Sequence, residues 1–259
     1  MNLTQPIQAS ASSSVDILGT PVALLSVEEG IRLLTEVLAA RRYTPVSFLN
    51  AHNANVSAVN QEFAEAMRRF LILADGVGVD IASKALYGHP FPDNLNGTDF
   101  IPAFLVAHAR PLCVGLLGAT QENADAAAAK LATIAPQHHY AVISNGFFSR
   151  DREPAILAEL VEVRPDILLV AMGVPRQELW IAQNLDARHC TVPIGVGALL
   201  DLLSGNIPRA PKWVRDLRLE WLFRLINEPS RLWRRYILGN PVFLWRVLMQ
   251  KLRQGRQEP

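Results

Sequence analysis

The chain has 259 residues, near the length at which one α/β domain can still enclose a single core, and half of them are hydrophobic. This composition excludes intrinsic disorder, and no apolar run approaches the roughly 20 residues that a membrane-spanning helix needs. The net charge of +1 is distributed unevenly along the chain. The part from Arg209 onward has twelve basic and four acidic residues (+8), whereas the part before it has thirteen basic and twenty acidic residues (−7). This distribution predicts an anionic partner for the C-terminal part.

The opening residues 1–15 are rich in serine and lack the apolar segment of a secretory signal, so we predict a flexible leader there. From residue 16 to 205, short apolar segments alternate with helical patterns. This alternation favours a mostly parallel, Rossmann-like α/β sheet with helices on both faces. Strands are predicted at 45–49, 70–74, 112–117, 140–144, 166–171 and 191–196. The clearest helix is 121–134, with Thr120 as its N-cap.

Residues 206–259 form a basic, helical appendage that contains four of the five tryptophans. We expect breaks at Pro229 and Pro241, the second at the start of a new helix. Three arginines in this segment lie at i, i+3 and i+4 on one helix face: Arg231, Arg234 and Arg235. Basic faces opposite Trp and Leu favour a helix that lies on an anionic bilayer. The alternative is that these helices pack on the domain and that the arginine stems cover its core.

Ligands of parallel α/β sheets bind beyond the carboxyl ends of the strands. The residues at these ends include one carboxylate and several turn residues: Asp75, Gly118, Asn145, Gly173 and Gly195. Glycine turns followed by helix N-termini suit a diphosphate, although short βα loops also use glycine for packing alone. No complete dinucleotide or Walker motif occurs, since 115–120 has the wrong spacing and 195–200 lacks the third glycine. No cofactor is therefore expected.

Metal-ligand spacing is absent from the sequence, which has no Asp-x-Asp triplet and no suitably spaced histidines. Cys113 and Cys190 lie in apolar segments, as is typical of core thiols in a reducing cytoplasm. Diphosphate charge would then be met by helix N-termini and by basic side chains, with these nearest in sequence: Arg176, Arg209 and Lys212. The carboxylates left as candidates are Asp75, Asp99, Glu178 and Asp201, and Asp75 is the hardest to explain as a cap or an ion pair.

Six segments, in order along the chain, resemble the WecG/TagA/CpsF glycosyltransferases: ADGVGV (74–79), NGTDFIPAF (96–104), VGLLGA (114–119), AMGVPRQELWI (171–181), GVGALLDLLSGNIPRAPKWV (195–214) and LEWLFRLINEPSRLWRRY (219–236). The resemblance covers about residues 16 to 246. It implies transfer of a sugar from a UDP-sugar to a polyprenyl-diphosphate-linked sugar on the cytoplasmic face of the bacterial inner membrane. It also implies an inverting, metal-independent reaction in cell-surface polysaccharide or exopolysaccharide biosynthesis.

The resemblance assigns the general base to Asp75 and places Asn50 and Gln177 in the substrate cleft. The other substrate-binding candidates come from the matching motifs and the glycine turns: Gly76, Thr98, Asp99, Gly118, Glu178, Gly195, Gly197, Arg209 and Lys212. Two positions depart from the family pattern, because Phe48 replaces a threonine of some members and Asn94 replaces a frequent arginine. The donor of other members is therefore not carried over, and the C-terminal sequence favours a hexose such as glucose.

Two other functions stay open from the sequence: a nucleotide-binding oxidoreductase on the same sheet, and a non-enzymatic adaptor at a membrane surface. Interleaved Trp and Leu favour lipid over nucleic acid as the partner of the basic tail. We expect the protein to associate peripherally with an anionic membrane through residues 206–253. A homo-oligomer is left open, because apolar tail surface could pair subunits.

Overall fold

The computed structural model describes residues 14–255, apart from the side chain of Asp216. Two short strands, β1 (Ser14–Ile17) and β2 (Thr20–Ala23), form an antiparallel hairpin. The remaining strands are β3 (Val46–Leu49), β4 (Leu71–Ala74), β5 (Cys113–Gly118), β6 (His139–Ser144), β7 (Ile167–Ala171) and β8 (Val192–Gly195). These six form one parallel sheet in the order β4-β3-β8-β7-β5-β6. The predicted parallel sheet is confirmed.

The helices of the α/β part are α1 (Val27–Ala39), α2 (Ala51–Ser57), α3 (Gln61–Met67), α4 (Val77–Tyr87), α5 (Gly97–Ala107), α6 (Gln121–Ile134), α7 (Glu153–Val163), α8 (Arg176–Asn184) and α9 (Leu199–Leu203), with a 3-10 turn at Arg150–Arg152. The tail, defined as residues 206–255, contains α10 (Lys212–Asp216), α11 (Glu220–Asn227), α12 (Pro229–Trp233), a π-helical turn (Arg234–Leu238) and α13 (Gly239–Gln254). The predicted cap of α6 is confirmed, because the Thr120 hydroxyl accepts the N–H of Asn123 at 3.2 Å.

The core has two layers because successive strand side chains point to opposite faces of the sheet. Leu116 belongs to the layer covered by α1, α5, α6 and α9, whereas Leu117 belongs to the layer covered by α2, α3, α4, α7 and α8. Burial on both faces explains why the strands read as continuous apolar runs. The predicted helices on both faces are confirmed.

The N-terminal hairpin was not predicted, because two four-residue strands are too short to show an alternating pattern. Its turn lies at Leu18 and Gly19, which both have positive φ angles, of 53° and 82°. Strand β1 begins at Ser14 and thus takes in the last two residues of the predicted leader. The rest of that leader lies outside the described residues.

The tail packs back onto the α/β part. Phe243 and Val247 of α13 are 1% and 3% exposed and join the core layer on the side of α2 and α4. The Arg246 guanidinium donates to Oδ1 of Asn55 at 2.7 Å. Within the described chain, no helix is long and apolar enough to cross a membrane. The tail is therefore anchored on the domain by one face of its last helix.

The two prolines of the tail act differently. The expected break at Pro229 is confirmed, since α11 ends at Asn227 and α12 begins at Pro229. No break occurs at Pro241, which lies inside α13, so the expected helix start there is wrong. Pro241 has no N–H to donate to the carbonyl four residues earlier, and the wider π-helical turn just before it accommodates this gap.

Candidate active site

A cavity of about 1260 Å3 lies over the carboxyl edge of the parallel sheet. Its floor is formed by the turns that follow the six strands, with these among its residues: Asn50, Asp75, Ala119, Gly146, Gly173 and Val196. Its roof is formed by the tail between Asn206 and Leu244. Because parallel α/β sheets bind their ligands at this edge, the cavity is the candidate active site.

Asp75 directly follows β4 and lines the cavity. Its Oδ2 atom accepts a hydrogen bond of 2.9 Å from Nδ2 of Asn50, which directly follows β3. Asn50 is also the N-cap of α2, and its Oδ1 accepts the N–H groups of His52 and Asn53, both at 3.1 Å. The adjacent ends of two strands are thereby joined through one amide side chain.

The electrostatics of Asp75 combine opposing effects. Burial raises the pKa of Asp75, whereas the Asn50 hydrogen bond and then the positive charges of Arg235 and Arg224 lower it. A carboxylate with a raised pKa is a stronger base when it is ionised. Burial also lowers the pKa of His52 to about 4, with a contribution from Arg235, so His52 is neutral at physiological pH.

The turn after Asp75 lines the cavity with a glycine whose conformation is stabilised by a hydrogen bond. Gly76 has φ +91°, a conformation that favours glycine, and its N–H donates to Oδ1 of Asn94 at 2.7 Å. Phe48 lines the cavity from β3, and its ring would be 2.9 Å from a Cβ atom placed on Gly97. Phe48 and Asn94, the two departures from the family pattern, therefore both lie at the cavity.

Gln177 lines the cavity, and its neighbour Glu178 lies beneath the cavity floor. The Gln177 Oε1 atom accepts the N–H groups of Gly173 and Gly197, and its Nε2 donates to Oε1 of Glu178 at 2.8 Å. Glu178 also accepts the Ser47 hydroxyl at 3.0 Å and is 0% exposed. The structure contradicts the expectation that Glu178 binds substrate, because its carboxyl is fully enclosed. Through these hydrogen bonds, Gln177 and Glu178 stabilise the turns after β7 and β8.

The predicted glycines divide into two groups. Gly118 was expected to bind substrate. A Cβ atom on it would lie 2.3 Å from the carbonyl oxygen of Ala171, so this glycine instead allows the close approach of β5 and β7. Gly195 and Gly197 do line the cavity. A Cβ atom on Gly195 would meet Nε2 of Gln177 at 2.9 Å, and Gly197 has φ +57°.

Thr98 and Asp99 begin α5 and line the cavity. The Thr98 hydroxyl donates to Oδ1 of Asn96 at 2.6 Å. Asp99 forms ion pairs with Arg209 and, at 2.9 Å, with Arg215. Arg209 is not part of the cavity lining and reaches the site through Asp99. The ion pairs of Asp99 connect the first helix of the tail to the cavity rim.

Lys212, also predicted to bind substrate, is the first residue of α10 and lies on exposed surface outside the cavity lining. In the same helix Arg215 reaches Asp99 at the cavity rim, and substrate binding by Lys212 stays a prediction. Arg176 does line the cavity, and its guanidinium lies 5.5 Å from the centre of the Phe148 ring.

The roof brings basic and aromatic side chains over the floor: Arg215, Arg218, Trp221, Arg224, Arg231, Arg235 and Tyr236. The Nε atoms of three of them are buried without a hydrogen-bond partner in the described chain: Arg215, Arg224 and Arg235. Buried Nε–H groups without a partner favour an anionic ligand that can accept their hydrogen bonds. Arg231 and Arg235, two of the three arginines for which a bilayer contact was expected, line the cavity, and Leu232 between them is 4% exposed and packs α12 on the domain.

Two groups that the sequence did not single out as site residues also line the cavity, Phe147 after β6 and Asn123 of α6, beside the candidate carboxylate Asp201 of α9. Phe147 lines the cavity with 76% of its surface exposed. Asp201 and Asn123 line it too, with a hydrogen bond of 2.8 Å from the amide of Asn123 to Oδ1 of Asp201. The sequence feature that could have identified Phe147 is its position directly after the Asn-Gly pair that ends a strand.

A parallel α/β sheet whose strand ends form a cavity lined by a carboxylate, several guanidinium groups and an exposed aromatic ring is the arrangement of an α/β enzyme that binds an anionic ligand. Among residues 14–255, no three His, Cys, Asp or Glu side chains are grouped so that they could hold a metal ion.

The sequence model of the glycosyl transferase WecG/TagA/CpsF family matches residues 15–257, and the chain belongs to this family. Relatives from Staphylococcus aureus strains MW2, NCTC 8325 / PS 47 and COL are each 30% identical over 257 residues, covering 94% of this chain and 96% of the relative. Each is named an N-acetylglucosaminyldiphosphoundecaprenol N-acetyl-β-D-mannosaminyltransferase. The protein is thus a glycosyltransferase, as the sequence motifs indicated.

Proposed function

We propose that this glycosyltransferase moves a sugar from a UDP-sugar to a polyprenyl-diphosphate-linked sugar in bacterial cell-surface polysaccharide or exopolysaccharide biosynthesis. The reaction inverts the anomeric carbon and uses no metal ion. Asp75 takes the proton of the acceptor hydroxyl as that oxygen attacks the anomeric carbon and UDP leaves. The observation that carries this assignment is Asp75 at the cavity floor, held by Asn50 and within electrostatic reach of Arg224 and Arg235.

The guanidinium groups of the roof support a diphosphate leaving group. Arg215, Arg224 and Arg235 each retain a buried Nε–H group without a partner in the described chain, and all three line the cavity. Charge-assisted hydrogen bonds from arginine to phosphate are strong and directional. They would neutralise the charge that develops on the β-phosphate as the glycosidic bond breaks.

The opposite end of the cavity has groups suited to a nucleoside. The exposed ring of Phe147 offers an aromatic face on which a base can stack. Asp201 offers a carboxylate, the group with which many nucleotide-binding α/β proteins bind ribose hydroxyls. With the diphosphate under the tail arginines, the donor sugar would extend towards Asp75.

A lipid-linked acceptor explains the surface of the tail. Of the seventeen exposed large apolar side chains in the described chain, twelve belong to the tail: Trp213, Leu217, Leu222, Ile226, Trp233, Ile237, Leu238, Val242, Leu244, Trp245, Leu248 and Leu252. Exposed basic side chains lie among them, including Arg234, Lys251 and Arg253. This combination suits peripheral binding to an anionic membrane, on the cytoplasmic face where UDP-sugars are available.

The experiment that tests the function is a turnover screen of the full chain with EDTA present. Each donor is supplied with polyprenyl-diphosphate N-acetylglucosamine in detergent, and UDP release is measured. The relatives' names place UDP-N-acetylmannosamine first in the donor panel, ahead of the UDP-glucose that the C-terminal sequence favoured. UDP-galactose and the uronic acid of UDP-N-acetylmannosamine complete the panel.

We expect one donor to release UDP at a rate that EDTA leaves unchanged. Restoration of activity only by a divalent cation would contradict metal independence. Product with retained anomeric configuration, read by NMR, would contradict the direct displacement and the role of Asp75. Failure of the chain to bind UDP in isothermal titration calorimetry would contradict the UDP-sugar donor itself.

A further inference from the structure

Glu220 is the first residue of α11 and lines the cavity from the roof. It forms no hydrogen bond or ion pair with any residue that the structure describes, although it is only partly exposed. The other acids around the cavity do have partners: Asp75 with Asn50, Asp99 with Arg215, Asp201 with Asn123, and Glu228 with Arg231. The Glu220 carboxylate is therefore left to accept hydrogen bonds from a ligand in the cavity.

The surroundings of Glu220 indicate the chemistry of that ligand. Burial raises the pKa of Glu220, and the charges of Asp75 and Asp99 add to this rise, whereas Arg224 and Arg209 oppose it. Three carboxylates therefore share one part of the cavity. Sugar hydroxyls, which donate hydrogen bonds to carboxylates, suit this part of the cavity.

We propose that Glu220 binds the acceptor sugar, with its carboxylate accepting a hydrogen bond from a hydroxyl group other than the one that Asp75 deprotonates. This inference rests on the proposed function. The position of Glu220 relative to Asp75 favours the acceptor over the donor, because the acceptor hydroxyl is the group that must meet the base. Glu220 also belongs to the tail, whose exposed apolar side chains face the side from which a lipid-linked sugar arrives.

The position of Glu220 gives the tail a role in substrate selection. The ion pairs of Asp99 with Arg209 and Arg215, and of Asp80 with Arg218, fasten the segment just before α11 across the cavity rim. These ion pairs thus hold the segment that carries Glu220 into the cavity, where it can contact the acceptor sugar.

The test compares Glu220→Ala and Glu220→Gln with the unchanged chain. Glu220→Gln keeps the side-chain shape and one acceptor oxygen, whereas Glu220→Ala removes both. We expect the KM for polyprenyl-diphosphate N-acetylglucosamine to rise at least about tenfold in Glu220→Ala and less in Glu220→Gln. The KM of the UDP-sugar and the Kd of UDP should stay within about twofold. Glu162→Ala, an exposed glutamate of α7, is the matched control and should change none of them.

The outcomes separate this inference from the proposed function. An unchanged acceptor KM in both folded variants overturns the role of Glu220 and leaves the transferase assignment standing. A rise confined to the KM of the UDP-sugar overturns it as well, because Glu220 then faces the donor. An unchanged chain that binds UDP but neither binds nor uses this acceptor overturns both the acceptor class and the role of Glu220. Circular dichroism and thermal unfolding confirm that each variant is folded.

Discussion

Asn50 holds Asp75 through an amide whose orientation is fixed by a helix cap. The Oδ1 atom of Asn50 accepts the N–H groups of His52 and Asn53 at the start of α2, so Nδ2 is the atom that faces Asp75, at 2.9 Å. A flipped amide would lose the cap and would place an oxygen against the carboxylate. The geometry of the proposed base is therefore set by the first turn of the neighbouring helix.

Replacement of the proposed base is the first prediction. Asp75→Asn keeps the side-chain shape and an oxygen that accepts from Asn50, but removes the proton acceptor. We expect kcat to fall by roughly 10²- to 10⁴-fold, with little change in UDP affinity. UDP release and calorimetry measure the two quantities. Asp125→Asn, on the exposed surface of α6, is the control, and near-normal turnover of Asp75→Asn would refute the assignment.

The Asn50 hydrogen bond predicts a change in the pH profile. Asn50→Ser retains a good N-cap residue for α2 but is too short to reach Asp75. Since this hydrogen bond lowers the pKa of Asp75, its loss raises that pKa. The acidic limb of the kcat/KM profile should then move to higher pH. A limb that stays in place, or moves to lower pH, would show that Asp75 is not the group titrating there.

The roof arginines predict a loss of diphosphate affinity. Arg235→Gln and Arg224→Gln each remove a guanidinium group from the cavity roof. We expect UDP to bind about tenfold to a hundredfold more weakly in each variant, the loss of one charge-assisted hydrogen-bonded contact. Arg253→Gln, at the exposed end of α13, should bind UDP normally. Unchanged calorimetric Kd values in both roof variants would place the diphosphate elsewhere.

Membrane binding is tested with substitutions rather than truncation, because removal of residues after 228 would also take Phe243 out of the core. Trp245 and Leu248 are 60% and 46% exposed on the outer face of α13. Their joint change to serine should strongly reduce co-sedimentation with anionic vesicles, and high salt should weaken binding of the unchanged chain. Val59→Ser with Val161→Ser is the control. Equal sedimentation of both double variants would argue against a tail-mediated contact.

Glu178 predicts a pH-dependent stability change. Burial raises its pKa in the folded chain above the ordinary value of 4.5. Between that value and the raised folded pKa, the folded chain holds a proton that the unfolded chain has released, so the Glu178 contribution destabilises the fold as pH rises. Glu178→Gln should therefore have a larger unfolding free energy, relative to the unchanged chain, at pH 8 than at pH 4. Urea unfolding measures it, and a difference independent of pH would contradict the raised pKa.

The sequence by itself determined the sheet, its helices and the position of the base. Apolar runs of four to six residues, separated by capped helical patterns, are local features, and all six parallel strands overlap the predicted segments. Asp75 and Asn50 follow two of these strands directly, so their placement at the carboxyl edge followed from topology alone. The Asp75–Asn50 contact depended in addition on β3 and β4 being neighbours.

The tertiary structure decided the function of the tail and the roles of several predicted residues. An amphipathic pattern shows that a helix has an apolar face, but not whether that face meets a domain, a bilayer or both. Here Phe243 and Val247 meet the domain, which turns Arg235 and Glu220 into the cavity and leaves Trp245 outside. Glu178 and Gly118 were misassigned for the same physical reason: contacts between residues far apart in the chain, which no local pattern encodes, decide whether a strand-end residue faces a ligand or the core.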